Sequence, residues 1–186
     1  MDESVCLGRH DGVGIDRRAP FLLTDAGRGT SRRPRQKNDC AVRALALACG
    51  GSYDAAYDEL AEAGRRCGRG FRFREWAVDG RFNGCAFTWT AFPAAKGESR
   101  MNPVTFALRH TTGGYILRTA RHVLACVDGV LYDDRKPDPW RCVYGAWAIR
   151  SIVGEPDPPS GARPSSMMTG HGETIEASPR TKEVAP

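Results

Sequence analysis

The sequence predicts an α+β domain in which N-terminal helices pack on a small C-terminal antiparallel sheet. Three observations carry this expectation. Helix start and stop residues punctuate three stretches, "NDCAVRALALACGG", "SYDAAYDELAEAG" and "NPVTFALRHTTGG". Short β-branched or aromatic runs then follow one another, "YILRTA", "HVLACV", "VLYDD" and "RCVYGAWAI". Between two of these runs stands Asp128-Gly129, the two-residue signal of a tight hairpin. Helices first and strands afterwards is the order of an α+β chain rather than an alternating α/β one.

The first helix begins at Asn38, whose amide side chain suits a cap, with Asp39 at the positive end of the helix dipole. Gly50-Gly51 ends it. A second helix starts from Ser52, repeats Tyr53, Ala56, Tyr57 and Leu60 at helical spacing, and stops at Gly64. Residues 65–83 predict a loop with a short helix around Glu75–Asp79, and "GCAFTWT" alternates Cys85, Phe87 and Trp89 as a strand does. The third long helix has Asn102 as cap, Pro103 at its first position and Val104, Ala107 and Leu108 on one face. Gly113-Gly114 closes it.

The flanks read differently. Residues 1–35 show no sustained period and are expected to form a flexible basic arm, leaving 36–153 as the folded domain. Residues 154–186 combine proline, serine, glycine and charge with little to bury, the composition of a disordered tail. No apolar run approaches the ~20 residues that cross a bilayer, and "MDESVCLGRHDGVGIDRR" lacks the layout of an export signal. The seven cysteines form no CxxC pair and no zinc-finger spacing with histidine, so neither a disulfide framework nor a metal site is expected. A reducing, cytoplasmic setting follows from that, and no cofactor motif is present.

Net charge is +5. Part of it lies in "RGTSRRPRQK", where Arg28, Arg32, Arg33, Arg35 and Lys37 stand without an acid. The plain reading is a solvated linker; the functional one is weak contact with nucleic acid or another polyanion.

Two stretches carry chemistry. Cys40 falls in the first turn of its helix, where unpaired N–H groups and the helix dipole favour a thiolate. In "RHVLACVDGVLYDD", a turn at Asp128-Gly129 pairs Val127 with Val130, Cys126 with Leu131 and Ala125 with Tyr132. Alternation then sets His122, Leu124 and Cys126 on one face, and Asp133 joins them while Asp134 points away. An imidazole and a carboxylate are thereby neighbours, which is what a nucleophilic cysteine needs for proton transfer and ring orientation.

A cysteine opening a helix, a histidine opening a later strand and an acid on the next strand resemble the papain-like cysteine peptidase superfamily. "NDC" followed by "AVRALALA" looks like the helix start of its C39-like branch, and the chain resembles small bacterial and phage proteins with an NDC…H…DG…D layout. The resemblance covers about 38–148 and implies a papain-like fold with Cys40 as nucleophile, His122 as general base and acid, and Asp133 as the orienting group. It implies a hydrolase acting on a peptide or isopeptide bond of a peptide or protein substrate, with no cofactor. Such enzymes use an amide side chain before the cysteine as an oxyanion donor. Gln36 and Asn38 are the candidates here, although Gln36 lies closer to the cysteine than the family pattern, and Ala41 replaces the usual glycine.

Other readings of the same residues compete. Cys40 alone could be a small buried side chain beside Ala41 and Ala44, His122 a strand-end histidine, and Asp133 and Asp134 loop acids before "RKPDP". The same layout would also serve an inactive binding module with a basic arm, or an acyltransferase. His110 suits the negative end of the third helix, and Cys126 and Cys142 suit strand packing.

Overall fold

The computed structural model describes residues 20–94, 100–136 and 141–152. Among them the first strand, β1 (Phe21–Leu23), and a 3₁₀ turn at Arg28–Thr30 precede two helices, α1 (Cys40–Ala48) and α2 (Tyr53–Glu62). A one-turn helix α3 (Phe73–Trp76) and strand β2 (Cys85–Ala91) lead to α4 (Pro103–Arg109). Strands β3 (Gly114–Thr119), β4 (His122–Val127), β5 (Val130–Asp133) and β6 (Gly145–Ser151) complete the chain order. The architecture is α+β, with a mixed sheet of order β1-β5-β4-β3-β6-β2.

The local signals act as their chemistry dictates. Ser52 accepts a hydrogen bond from the Ala55 amide and Asn102 one from the Thr105 amide, so both helices start at capped ends. Asp128 and Gly129 take φ of 48° and 76°, the doubly left-handed turn that matches the twist of a hairpin. The β4–β5 register is the expected one, with Val127 opposite Val130, Cys126 opposite Leu131 and Ala125 opposite Tyr132.

Four expectations need correction. The sheet is neither wholly C-terminal nor wholly antiparallel, because β1 runs parallel to β5 and β2 pairs antiparallel with β6. The flexible arm expected over 1–35 does not extend through residues 20–35. Three residues are too few for a strand signal in isolation; β1 is held because Leu23 pairs with Asp133 and the Thr24 amide bonds the Asp133 carbonyl at 2.8 Å. The α1 cap is Asp39, not Asn38, which sits one position earlier with φ of 54°. The short helix lies at Phe73–Trp76 rather than 75–79, drawn there by burial of Phe73 against Trp76, Phe87 and Trp147. The expected tail, the Trp140 position and residues 1–19 lie outside the described residues.

Both faces of the sheet are covered. On one, Val42, Leu45, Tyr53, Ala56 and Leu60 of α1 and α2 pack with Ile116, Val123 and Trp147. On the other, Phe106 of α4 meets Leu117, Leu124, Cys126, Leu131 and Val143. Alternation along β4 explains the division: Val123 faces α1 while Leu124 and Cys126 face away. Complete burial of a side chain such as Leu45, Leu60 or Phe106 stabilises the fold by about 1.5–3 kcal/mol each before entropy is counted. The start of α1, the start of β4 and the end of β5 all come to one end of this sandwich.

Candidate active site

Cys40 is the first residue of α1, and α1 lies across β4. His122 opens β4, so its ring reaches past the end of the strand to the start of that helix. Its Nε2 stands 2.5 Å from Asp133 Oδ2. The other ring nitrogen, Nδ1, stands 3.4 Å from an Arg135 Nη, and the imidazole also lies beside the Cys40 thiol. The backbone N–H of Val123 lies beside the Cys40 sulfur and favours its thiolate. Cys40, His122 and Asp133 therefore form one connected line across three elements.

Behind this line lies a charge network that sequence reasoning missed. Arg43, only 3% exposed, reaches Asp133 Oδ1 with one Nη at 2.7 Å, Asp39 Oδ1 with its Nε at 3.2 Å and Asp134 Oδ1 with the other Nη at 3.2 Å. Arg28 adds bonds to both Asp39 carboxylate oxygens at 3.2 Å. The Tyr53 hydroxyl donates to Asp39 Oδ2 at 2.8 Å. Asp133 is thereby fixed from both sides: one oxygen belongs to Arg43 and the Asp134 amide, and the other is left for His122. Asp134 does not touch His122 and serves the arginines instead.

A signal for Arg43 was present. It is the lone charge in "CAVRALALA", and it follows Asp39 by four residues, the spacing at which an acid and a base meet on one helix face. Arg28 and Tyr53 offered no such pattern, since each reaches Asp39 only through the fold.

These contacts set the protonation states. Burial opposes the charge on Cys40, but the hydrogen bond and charge of His122, the Val123 N–H and the positive charge of Arg43 outweigh it, and the thiol falls below its ordinary value. Burial likewise works against the imidazolium of His122, yet Asp133 and Cys40 raise it from 6.5 to about 9. Asp133 is held below the usual carboxylate range despite burial, by His122 and Arg43. Both shifts run in the direction that favours a thiolate beside an imidazolium. Cys49 and Cys126 move the other way: burial raises both, Cys126 to about 11. Cys40 stands apart from these buried cysteines because a cation sits beside it.

The amides expected as oxyanion donors are otherwise engaged. Gln36 Nε2 donates to Cys67 Sγ at 3.3 Å, and Asn38 Nδ2 to the Gly68 carbonyl at 2.7 Å. Both residues nonetheless line the same cleft as Cys40. The Asp39 carboxylate makes no capping bond, because the arginines and Tyr53 hold it, and the first-turn amides of α1 are left without that partner.

Cys40 and His122 lie where two clefts meet, one of about 960 Å³ and one of about 650 Å³. Of the basic segment, Arg28 is bound to Asp39 and Asp134, and Arg32 and Arg33 are paired with Asp54 and Asp58. Arg35 and Lys37 face the larger cleft. His110 lies elsewhere, with Nδ1 2.9 Å from the Phe106 carbonyl and its ring stacked on Phe106. Among the described residues, no three histidine, cysteine or acidic side chains are grouped to hold a metal, and no helix is long and apolar enough to cross a membrane. No family model, curated protein or solved structure matches the chain.

Proposed function

We propose that the chain is a papain-like cysteine hydrolase that cleaves an amide bond, peptide or isopeptide, through Cys40, His122 and Asp133. The observation that carries this reading is the connected line from a depressed thiol through a raised imidazole to a buried, arginine-held carboxylate, placed at an accessible cleft. A structural cysteine needs none of these supports. The Cys126 thiol, buried in the same sheet, has none of them.

The chemistry follows from the positions. The Cys40 thiolate attacks the substrate carbonyl, and the negative charge moves to the carbonyl oxygen. The Cys40 backbone N–H, at the uncapped start of α1, is the first donor to that oxygen. Gln36 supplies the second, since its present partner is a thiol sulfur, a weak acceptor that a full oxyanion displaces. His122 then delivers its proton from Nδ1 to the leaving amine, and the thioester forms as the C–N bond breaks. In the second half, neutral His122 takes a proton from water, hydroxide adds to the thioester, and Cys40 leaves as the thiolate. Asp133 keeps the ring oriented and its charge compensated throughout.

The test is a pooled library of peptide aminocoumarin amides, supplied to the wild type and to Cys40→Ser. Release of coumarin by the wild type alone, and its loss after iodoacetamide, is the expected result. Iodoacetamide labelling at each cysteine, followed by peptide mass spectrometry, supplies a readout independent of substrate. If Cys40 reacts no faster below about pH 7 than the exposed Cys67, the thiolate–imidazolium pair is absent and the reading fails.

A further inference from the structure

We propose that the cleft at Cys40 takes an acidic polypeptide segment, with aspartate or glutamate side chains close to the bond that is cut. This rests on the hydrolase reading above and names its substrate class. The wall of the larger cleft carries Arg35, Lys37, Arg121 and Arg135, all exposed. Among the described residues none of these four is in an ion pair, although an Arg135 Nη also stands 3.4 Å from His122 Nδ1. The acids on the same wall, Asp39 and Asp134, are already held by Arg28 and Arg43. The cleft therefore presents cations with no acid left to answer them, and a concave wall concentrates their field on whatever enters.

Arg121 occupies the deciding position. It borders both clefts together with Cys40 and His122, so it stands beside the nucleophile whichever way the substrate runs. It is also held at φ of 56° in the tight β3–β4 turn, a conformation that disfavours a side chain of this size. An arginine stands where asparagine or glycine would sit with less strain. Its guanidinium can take a carboxylate in two parallel hydrogen bonds, which makes it a reader of the residue next to the scissile bond.

The chemistry of the wall favours an acidic peptide over a nucleic acid. No Phe, Tyr or Trp lines the larger cleft, and the one ring there, His122, is buried. In the smaller one Phe73 and Trp147 are 3% and 2% exposed, and Phe71 is half-buried. Bases would find charge there but little to stack on.

The experiment uses the full chain carrying Cys40→Ala, so that binding is read without turnover. Fluorescence anisotropy compares a labelled Glu/Asp-rich peptide with its Gln/Asn isostere and with a single-stranded oligonucleotide of equal charge. The acidic peptide is expected to bind best, and Arg35→Gln, Lys37→Gln, Arg121→Gln and Arg135→Gln are each expected to weaken it roughly twofold to fivefold. Arg121→Gln has the largest expected effect, and Arg81→Gln, outside both clefts, none. Equal binding of the isostere, tighter binding of the oligonucleotide, or indifference to the four variants overturns the proposal. Thiol reactivity and coumarin release in the chain with Cys40 intact are read separately, so loss of the substrate class and loss of the hydrolase reading are distinct results.

Discussion

Replacing Asp133 by Asn tests the line of charge directly. The carboxylate accepts the His122 Nε2 bond at 2.5 Å and is the first of the groups that raise the imidazole from 6.5 to about 9. That rise corresponds to about 3 kcal/mol favouring the imidazolium, shared between Asp133 and Cys40. With the carboxylate gone, burial works against the charge while only Cys40 still favours it, so the His122 value is expected to fall by more than about one pH unit. Cys40 then loses its cationic neighbour at neutral pH, and its labelling by iodoacetamide near pH 7 drops about tenfold for each unit its thiol rises. Two assays read this: the imidazole NMR titration of His122 and the pH profile of Cys40 alkylation. Asp134→Asn is the matched control, because Asp134 touches Arg43 and Arg28 but not His122, and its profiles are expected to follow the wild type. The pH dependence of stability changes as well. A His122 whose folded value exceeds its unfolded one contributes fully below about 6.5 and loses that contribution as pH rises through about 9; in Asp133→Asn most of this dependence disappears. If Asp133→Asn leaves the imidazole titration and the alkylation profile within about half a pH unit of wild type, Asp133 is a partner of Arg43 only and does not set the charge of His122 or Cys40.

Other outcomes follow from the same contacts. Arg43→Met removes the cation that the buried Asp39 and Asp133 share, leaving them Arg28, Tyr53 and His122, and urea unfolding should show a loss of about 1.5–3 kcal/mol, partly restored in Arg43→Lys. Tyr53→Phe removes the hydroxyl bond to Asp39 and is expected to cost about 1.5–3 kcal/mol in the same assay, with no change in Cys40 alkylation near pH 7. Gly145→Ala places a methyl about 2.5 Å from the Thr90 carbonyl and against the Trp89 ring, so β2 must part from β6; a loss of about 1–3 kcal/mol should lower the melting temperature by several degrees. For the proposed amidase activity, kcat/KM is expected to rise with pH as the Cys40 thiolate forms below the ordinary thiol range and to fall again as His122 deprotonates near pH 9.

Legibility followed the range of the forces involved. The Ser52 and Asn102 caps, the Asp128-Gly129 turn and the apolar face of α2 were readable because each rests on residues within a turn of one another. The choice of Asp133 over Asp134 was readable for the same reason. Alternation along a hairpin of known register leaves only one of two adjacent acids on the histidine's face.

What the sequence by itself determined is therefore the α+β class, the starts of α2 and α4, the hairpin register and the pairing of His122 with Asp133. Only the tertiary structure decided that β1 would join β5, that Asp39 rather than Asn38 would begin α1, and that Arg28, Arg43 and Tyr53 would converge on its carboxylate. Periodicity describes neighbours along the chain. Arg43 and Asp133 are 90 residues apart, and their bond exists because packing α1 across the sheet buries both charges at one place, where each is costly unless it meets the other.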